Sequence, residues 1–169
     1  MLVEMKSPVF IDHGQERPPI LFHEGLNVVL GEEDGAMSIG KSSSLLAIDF
    51  VFGGDTYIKS DGVRHEGHHT VFFAFEFNGA RYYFARNTGD SATIHFCDKD
   101  YQLTGAKYTK EEFISWLRTQ YGMEFDGVSF RTILSSFFRA YGKGNTDELN
   151  PLKGIPGQNM EKSIATILT

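Results

Sequence analysis

The chain has 169 residues, of which 41% are hydrophobic, 14% aromatic and 22% charged, too apolar for a disordered polymer and enough for one globular domain with a core. No apolar run approaches the ~18 residues a membrane helix needs, and residues 1–20 lack the basic and apolar regions of a secretion signal. Lys plus Arg total 16 against 22 Asp plus Glu, so the formal charge of -6 gives no general attraction to nucleic acid, and the single Cys97 excludes an internal disulfide.

In chain order, residues 8–31 read as short strands. Pro8–Ile11 and Ile20–Phe22 are separated by the polar turn Asp12–Pro18, and a second turn follows at His23-Glu24-Gly25. Leu26–Leu30 is β-branched and nearly continuously apolar, the pattern of a central strand buried on both faces. A small acidic loop, Glu32–Gly40, leads to a buried helix over Leu45–Phe52, closed by Gly53-Gly54. Residues 55–69 are polar and read as a long loop. From Thr70, Val71, Phe73, Phe75 and Phe77 alternate with Phe72, Ala74 and Glu76. Asn78-Gly79 then predicts a hairpin to Arg81–Arg86, and Thr93–Cys97 reads as a third strand. Thr109 with Glu112 forms a capping-box pattern, after which Phe113, Trp116, Leu117 and Tyr121 share a helical face. A second helix is expected over 128–141, then a Pro- and Gly-bearing loop, and Met160–Thr169 reads as the start of another helix.

One motif carries the chemistry. Gly35-Ala36-Met37-Ser38-Ile39-Gly40-Lys41-Ser42 matches G-x-x-x-x-G-K-[ST] at every fixed position. Glycines let backbone N–H groups converge on phosphate oxygens, Lys41 brings charge to the β- and γ-phosphates, and the Ser42 hydroxyl is suited to Mg²⁺. A helix opening at Lys41 aims its dipole at the same anion. The motif must follow a buried strand and open a helix, and Leu26–Leu30 and Ser42–Phe52 supply both. Its spacing is unusual. Gly31 occupies the place where such loops close the strand, so either Glu32–Gly35 is an insertion or Gly35 begins a loop standing off the strand. Glu32, Glu33 and Asp34 then either face away from the polyphosphate or tune Mg²⁺.

The segment FHEGLNVVLG…GKSSSLLAIDFVFGG resembles the amino-terminal end of SMC-like and RecF-like ATPases of the ABC class. More narrowly, the loose loop before GKS, the IDF in the helix and the later FRTILSSFFRAYG resemble a poorly characterised bacterial branch of SMC-like proteins. The specific part spans about 35 residues of the chain. The resemblance implies an α/β P-loop NTPase head: a mixed sheet, an antiparallel β-subdomain and trailing helices. Its parts would be strands, phosphate loop and first helix over 1–54, a β-lobe over 70–97, helices over 109–141, and over 159–169 a helix leading to a coiled coil. It also implies ATP and Mg²⁺ as cofactors. Gly35, Ser38, Ile39, Gly40, Lys41, Ser42 and Ser43 would hold the nucleotide, with Lys41 catalytic and Ser42 on Mg²⁺; residues of the first strands would approach the base. Two heads would sandwich two ATP molecules and act on DNA in repair or in defence against foreign DNA, in the cytoplasm and without a membrane. The second half of such a head supplies the Walker B carboxylates and the signature loop.

Those parts have no match here. Phe125-Asp126-Gly127 and Asp147-Glu148-Leu149 lack the apolar run that precedes a Walker B pair, no LSGG-like signature occurs, and Gln102, Gln120 and Gln158 lack the context of a Mg²⁺-sensing glutamine. The expectation is therefore half of a head, its remainder encoded beyond Thr169, that binds nucleotide better than it hydrolyses it. A non-hydrolysing regulatory module is the alternative, and a small P-loop kinase a weaker third.

Other residues have blander readings. His65-Glu66-Gly67-His68-His69 reads as a solvated loop, since a glycine interrupts it and metal-ligand spacing is lacking. Cys97 reads as a small core residue. Phe72–Phe77 with Tyr82–Phe84 reads as core in preference to a base-stacking platform. Arg81, Arg86, Arg118, Arg131, Arg139, Lys143 and Lys153 are either scattered surface charge or a basic surface for DNA.

Overall fold

A computed structural model describes residues 1–12, 14–27, 38–125 and 127–137. Its elements are β1 (Leu2–Lys6), β2 (Ile11–Asp12), β3 (Gln15–Glu16), β4 (Ile20–Leu21), α1 (Ser38–Val51), a 3-10 turn (Thr56–Lys59), α2 (Asp61–Glu66), β5 (Thr70–Phe77), β6 (Ala80–Asn87), β7 (Thr93–Cys97), β8 (Leu103–Thr109), α3 (Lys110–Gln120) and α4 (Phe130–Phe137). The arrangement is α/β. Six strands form one sheet in the order β4-β1-β5-β6-β7-β8, and β2 and β3 form a small separate ribbon.

Every pairing among the described residues is antiparallel, which corrects the expected mixed sheet. Of the central strand expected at Leu26–Leu30, only the first two residues are described. Leu26 and Asn27 are irregular and Leu26 is 81% exposed, while Val28–Leu30 lie outside the described residues. The N-terminal strand also moves. Pro8 and Val9 turn the chain, and the strand is Leu2–Lys6, which pairs with both β4 and β5. A bulge between Leu2 and Glu4 brings Leu2 and Met5, three residues apart, onto the same buried side.

The core side of the sheet is built from Val71, Phe73 and Phe75 of β5, Phe84 of β6 and Ile94 of β7, all without exposed surface. Phe50 and Val51 of α1 and Phe113 and Leu117 of α3 close against it. The rings meet largely edge to face, as for Phe84 with Phe113 at 5.2 Å and Phe52 with Phe75 at 5.2 Å, the arrangement their quadrupoles favour. The aromatic stripe is thus core on its Phe73, Phe75, Phe77 side. Phe72 stands on the other face.

Local chemistry explains the remaining elements. Asn78 (φ 52°) and Gly79 (φ 77°) make the tight β5–β6 turn with two left-handed residues. At α3 the capping box forms: Glu112 Oε2 accepts from the Thr109 N–H at 2.8 Å, and Thr109 Oγ1 accepts from the Glu112 N–H at 3.2 Å. The Thr109 N–H and hydroxyl, both donating to Oε2, hold the Glu112 carboxyl below its ordinary range. Residues 55–69, read as a loop, contain the 3-10 turn and α2, whose N-cap Ser60 accepts from the Val63 N–H at 3.4 Å. The strand β8 has no alternating signal in the sequence, because six of its seven residues are exposed. The second expected helix is α4, with Phe130, Ile133 and Leu134 buried; its stretch beyond Phe137, and the helix expected at 159–169, lie outside the described residues.

One charged side chain ties the layers together. Arg86 points from β6 to the core side and is fully buried. Its Nη1 donates to the Phe50 and Gly54 carbonyls (2.6 and 2.9 Å), and its Nη2 donates to Asp55 Oδ1 (2.9 Å) and the Ser91 carbonyl (2.6 Å). Nε donates to the Ser91 carbonyl as well, at 2.9 Å, and the guanidinium lies 4.1 Å from the centre of the Phe50 ring. Burial pushes the guanidinium below its ordinary value, and Asp55 acts against that. A second pair joins α1 to α4: Arg131 Nη2 donates to Asp49 Oδ1 at 2.6 Å. The chain passes so close here that a Cβ on Gly54 would sit 2.1 Å from Asp49 Oδ2, so only glycine fits.

Replacing Arg86 with Met leaves the Gly54 and Ser91 carbonyls without this donor, while the Phe50 carbonyl keeps the Gly53 N–H and Asp55 keeps Lys110. The change should lower unfolding stability by about 2–4 kcal/mol, read as a lower urea midpoint at unchanged slope, and a loss below about 1 kcal/mol would contradict the assigned role. For Asp55, burial raises the carboxyl, but Lys110 and Arg86 outweigh it and hold the group below its ordinary value. The unfolded chain therefore takes up the proton first as pH falls. The stabilisation is fully present above about pH 4 and is lost as pH drops through the folded-state value. The melting-temperature gap between wild type and Asp55→Asn should accordingly be flat from about pH 7 to pH 5 and close below about pH 4; a gap that persists to about pH 2 would refute the linkage.

Candidate functional site

α1 begins at Ser38, three residues before the helix start expected at Lys41. Ser38, Ile39, Gly40, Lys41 and Ser42 thus occupy its opening turns on helical backbone; Gly35, the acidic stretch Glu32–Asp34 and the side chains of residues 38–42 lie outside the described residues. The first turn of α1 carries no acidic residue. Its leading N–H groups have no intrahelical acceptor, which makes that end a donor array facing away from the helix body. Ser43 is half-buried, with its Oγ 3.8 Å from the position a Cβ on Gly62 would take. The segment read as a loop therefore brings α2 beside the helix that carries the phosphate motif. No signal in the sequence points to that neighbour.

The Glu24-Gly25-Leu26-Asn27 turn has a physical basis. Gly25 takes φ 85°, and the Asn27 side chain closes the turn by accepting from the His23 N–H (3.1 Å) and donating to the His23 and Gly25 carbonyls (2.8 and 3.3 Å). This turn forms one side of an open groove of about 1080 Å³. Leu45, Ile48 and Phe52 of α1 supply an apolar wall, and His23, Asn27, Asn78 and Arg81 supply polar rim groups. The first strand reaches the groove as well. Its N-terminal ammonium donates to the Glu76 carbonyl and is held below its ordinary pKa chiefly by burial.

The remaining candidates sort by contact. His65 and His68 are exposed, as expected of a solvated loop, but His69 is buried, with Nε2 2.9 Å from the Tyr57 hydroxyl and Nδ1 2.8 Å from the Gly67 carbonyl. Burial pushes the Tyr57 hydroxyl up to about 12. Among the described residues no group of three His, Cys, Asp or Glu side chains is placed to hold a metal ion. Cys97 is buried, and its thiol is pushed up to about 11, chiefly by desolvation, the opposite of an activated nucleophile. Of the proposed basic surface, Arg86 is buried and Arg131, half-buried, is paired with Asp49. Arg118 donates to the Met123 and Phe125 carbonyls, and Arg81 pairs with Glu76 at 2.8 Å. Arg139, Lys143, Lys153, Gln158 and the acidic pair Asp147-Glu148 lie outside the described residues, as does Asp126.

Among the described residues no helix is long and apolar enough to cross a membrane. No protein-family profile matches the chain, and neither a curated protein nor a solved structure shows significant similarity to it.

Proposed function

We propose that this chain binds ATP with Mg²⁺ at the N-terminal end of α1, as the first half of a P-loop ATPase head of the SMC-like kind. The observation that carries the reading is the G-x-x-x-x-G-K-S spacing of Gly35–Ser42, with Gly40, Lys41 and Ser42 in the opening turns of a 14-residue helix whose first turn is free of carboxylates. The fit is chemical: N–H donors with no acceptor inside the helix, a lysine and a hydroxyl are what a Mg²⁺-bound polyphosphate requires. Gly35, Ser38, Ile39, Gly40 and Ser43 would contribute to the cradle, Lys41 would neutralise the β- and γ-phosphates, and Ser42 would hold the metal. Bound Mg²⁺ supplies charge neutralisation at the transferring phosphoryl group. The open groove beside α1 offers apolar surface and polar rim groups at the distance of one helix face, where a base could be received.

Hydrolysis in this reading belongs to two heads sharing their sites, with DNA as the object of the work. The absence of an apolar run ending in Asp-Glu favours the second reading for the chain on its own, a nucleotide-binding module without turnover. Lys41→Ala should weaken ATP binding, measured calorimetrically with Mg²⁺, by about 100-fold or more while leaving the thermal melt unchanged. Undiminished affinity in the folded variant would sink the assignment. Phosphate release by the wild-type chain that rises with the square of its concentration would select the shared-site reading, and binding without release would select the module.

A further inference from the structure

The chain leaves α1 at Gly53-Gly54 and then runs back along it. The Tyr57 ring lies 5.7 Å from that of Phe50, near the end of α1, and Gly62 of α2 stands beside Ser43, two turns nearer its start. The returning segment is fixed by contacts of its own. The Tyr57 hydroxyl meets His69 Nε2 at 2.9 Å, Val63 is buried, and the Gly67 N–H closes α2 on the Val63 carbonyl at 2.9 Å. A pre-formed wall therefore flanks the opening half of the helix that carries the phosphate motif.

Gly62 has no conformational reason to be glycine. It lies in the first turn of α2, its φ is outside the left-handed region, and glycine is the weakest helix former after proline. What its missing side chain leaves is space. A Cβ at Gly62 would stand 3.7 Å from Ser60 Oγ and 3.8 Å from Ser43 Oγ. The two hydroxyls therefore face one gap, no more than about 7.5 Å apart, the reach of two hydrogen bonds of ~2.7 Å to different oxygens of one phosphoryl group. Ser60 is buried, with 9% of its surface exposed, and its Oγ accepts from the Val63 N–H at 3.4 Å. No acceptor for the Ser60 hydroxyl hydrogen is found among the described residues. The neighbouring carboxylate is engaged: Asp61, exposed, pairs with Arg64 at 3.1 Å.

We infer that the gap over Gly62 receives a phosphoryl group of the nucleotide, held by hydroxyls from both sides: Ser43 of α1 and Ser60, the cap of α2. This wall depends on the reading of α1 as an ATP site and adds to it a second side, drawn from the segment between α1 and β5. Gly62 is then kept small for the ligand. Ser60 serves the helix and the phosphate at once: a lone pair takes the Val63 N–H, and the hydroxyl hydrogen goes to the ligand.

The test is calorimetric titration of the whole chain with ATP and Mg²⁺, with the thermal melt of each variant measured beside it. Gly62→Asn and Gly62→Asp fill the gap with the same shape and differ in charge. The aspartate should weaken ATP binding about 10-fold or more beyond the asparagine. Its melting temperature should be no lower than that of the wild type, because a carboxylate in the first turn favours the helix. Ser60→Gly keeps a tolerable cap, removes the hydroxyl and should weaken binding by about 5-fold or more. Should Gly62→Asp fail to fold, Ser60→Gly decides. Lys41→Ala, measured alongside, separates the two readings. If it loses ATP while folded Gly62→Asp matches Gly62→Asn, or while Ser60→Gly binds as the wild type does, the α1 site stands and the second wall falls. If Lys41→Ala binds undiminished, or the wild-type chain binds no ATP, the α1 site falls and takes the wall with it.

Discussion

The buried guanidinium of Arg86 is the point on which this structure hangs. α1 has no basic residue in its last turn, so its terminal carbonyls have no local cation. Arg86 arrives from β6, takes the Phe50 and Gly54 carbonyls, and anchors the Ser91 carbonyl of the β6–β7 connection with the same planar fork. Asp55 completes the set from the far side and is shared with Lys110, the first residue of α3, at 2.8 Å. Helix, hairpin and second helix therefore meet at one charge. A lysine offers no fork to hold several carbonyls at once, and a hydrophobic residue would take this donor away from the Gly54 and Ser91 carbonyls.

The same position shows what could be read in the sequence and what could not. Phe73, Phe75, Asn78-Gly79 and the Thr109–Glu112 box were legible because each obeys a local rule: alternation, a left-handed turn, a reciprocal cap. Arg86 follows the alternation too, two residues beyond Phe84 on the core face and opposite Val71 and Ile94. Its charge points to the surface while its register points to the core, and the register prevails. The strand β1 was missed because its bulge breaks the period of two, and β8 because an exposed edge strand has no apolar face to alternate. In 55–69 only Tyr57 and Val63 are buried apolar residues, too few to mark a 3-10 turn and a helix of six residues.

The candidate phosphate site was legible as a motif but not as a neighbourhood. Spacing alone identified Gly40, Lys41 and Ser42; that α2 stands beside Ser43 follows from tertiary packing, which no window of sequence contains. The resemblance motifs are joined in space as well. Asp49 of the IDF segment and Arg131 of the FRTILSSFF segment, 82 residues apart, form one ion pair. Both segments carry residues whose reason is structural: they fix α4 against the end of α1, just where Gly54 leaves no room for a side chain.

Pinning α1 at its C-terminal end has a mechanical consequence. A helix of 14 residues is a rod of about 21 Å. With Arg86 and Arg131 clamping one end, the rod has its fulcrum at Phe50–Gly54 and its far end at Ser38. A tilt of about 5° about that fulcrum carries the opening turn through about 2 Å, on the order of the difference between a hydrogen bond made and one broken. The clamp thus sets where the opposite end of α1 stands, and that is the end that bears Gly40 and Lys41.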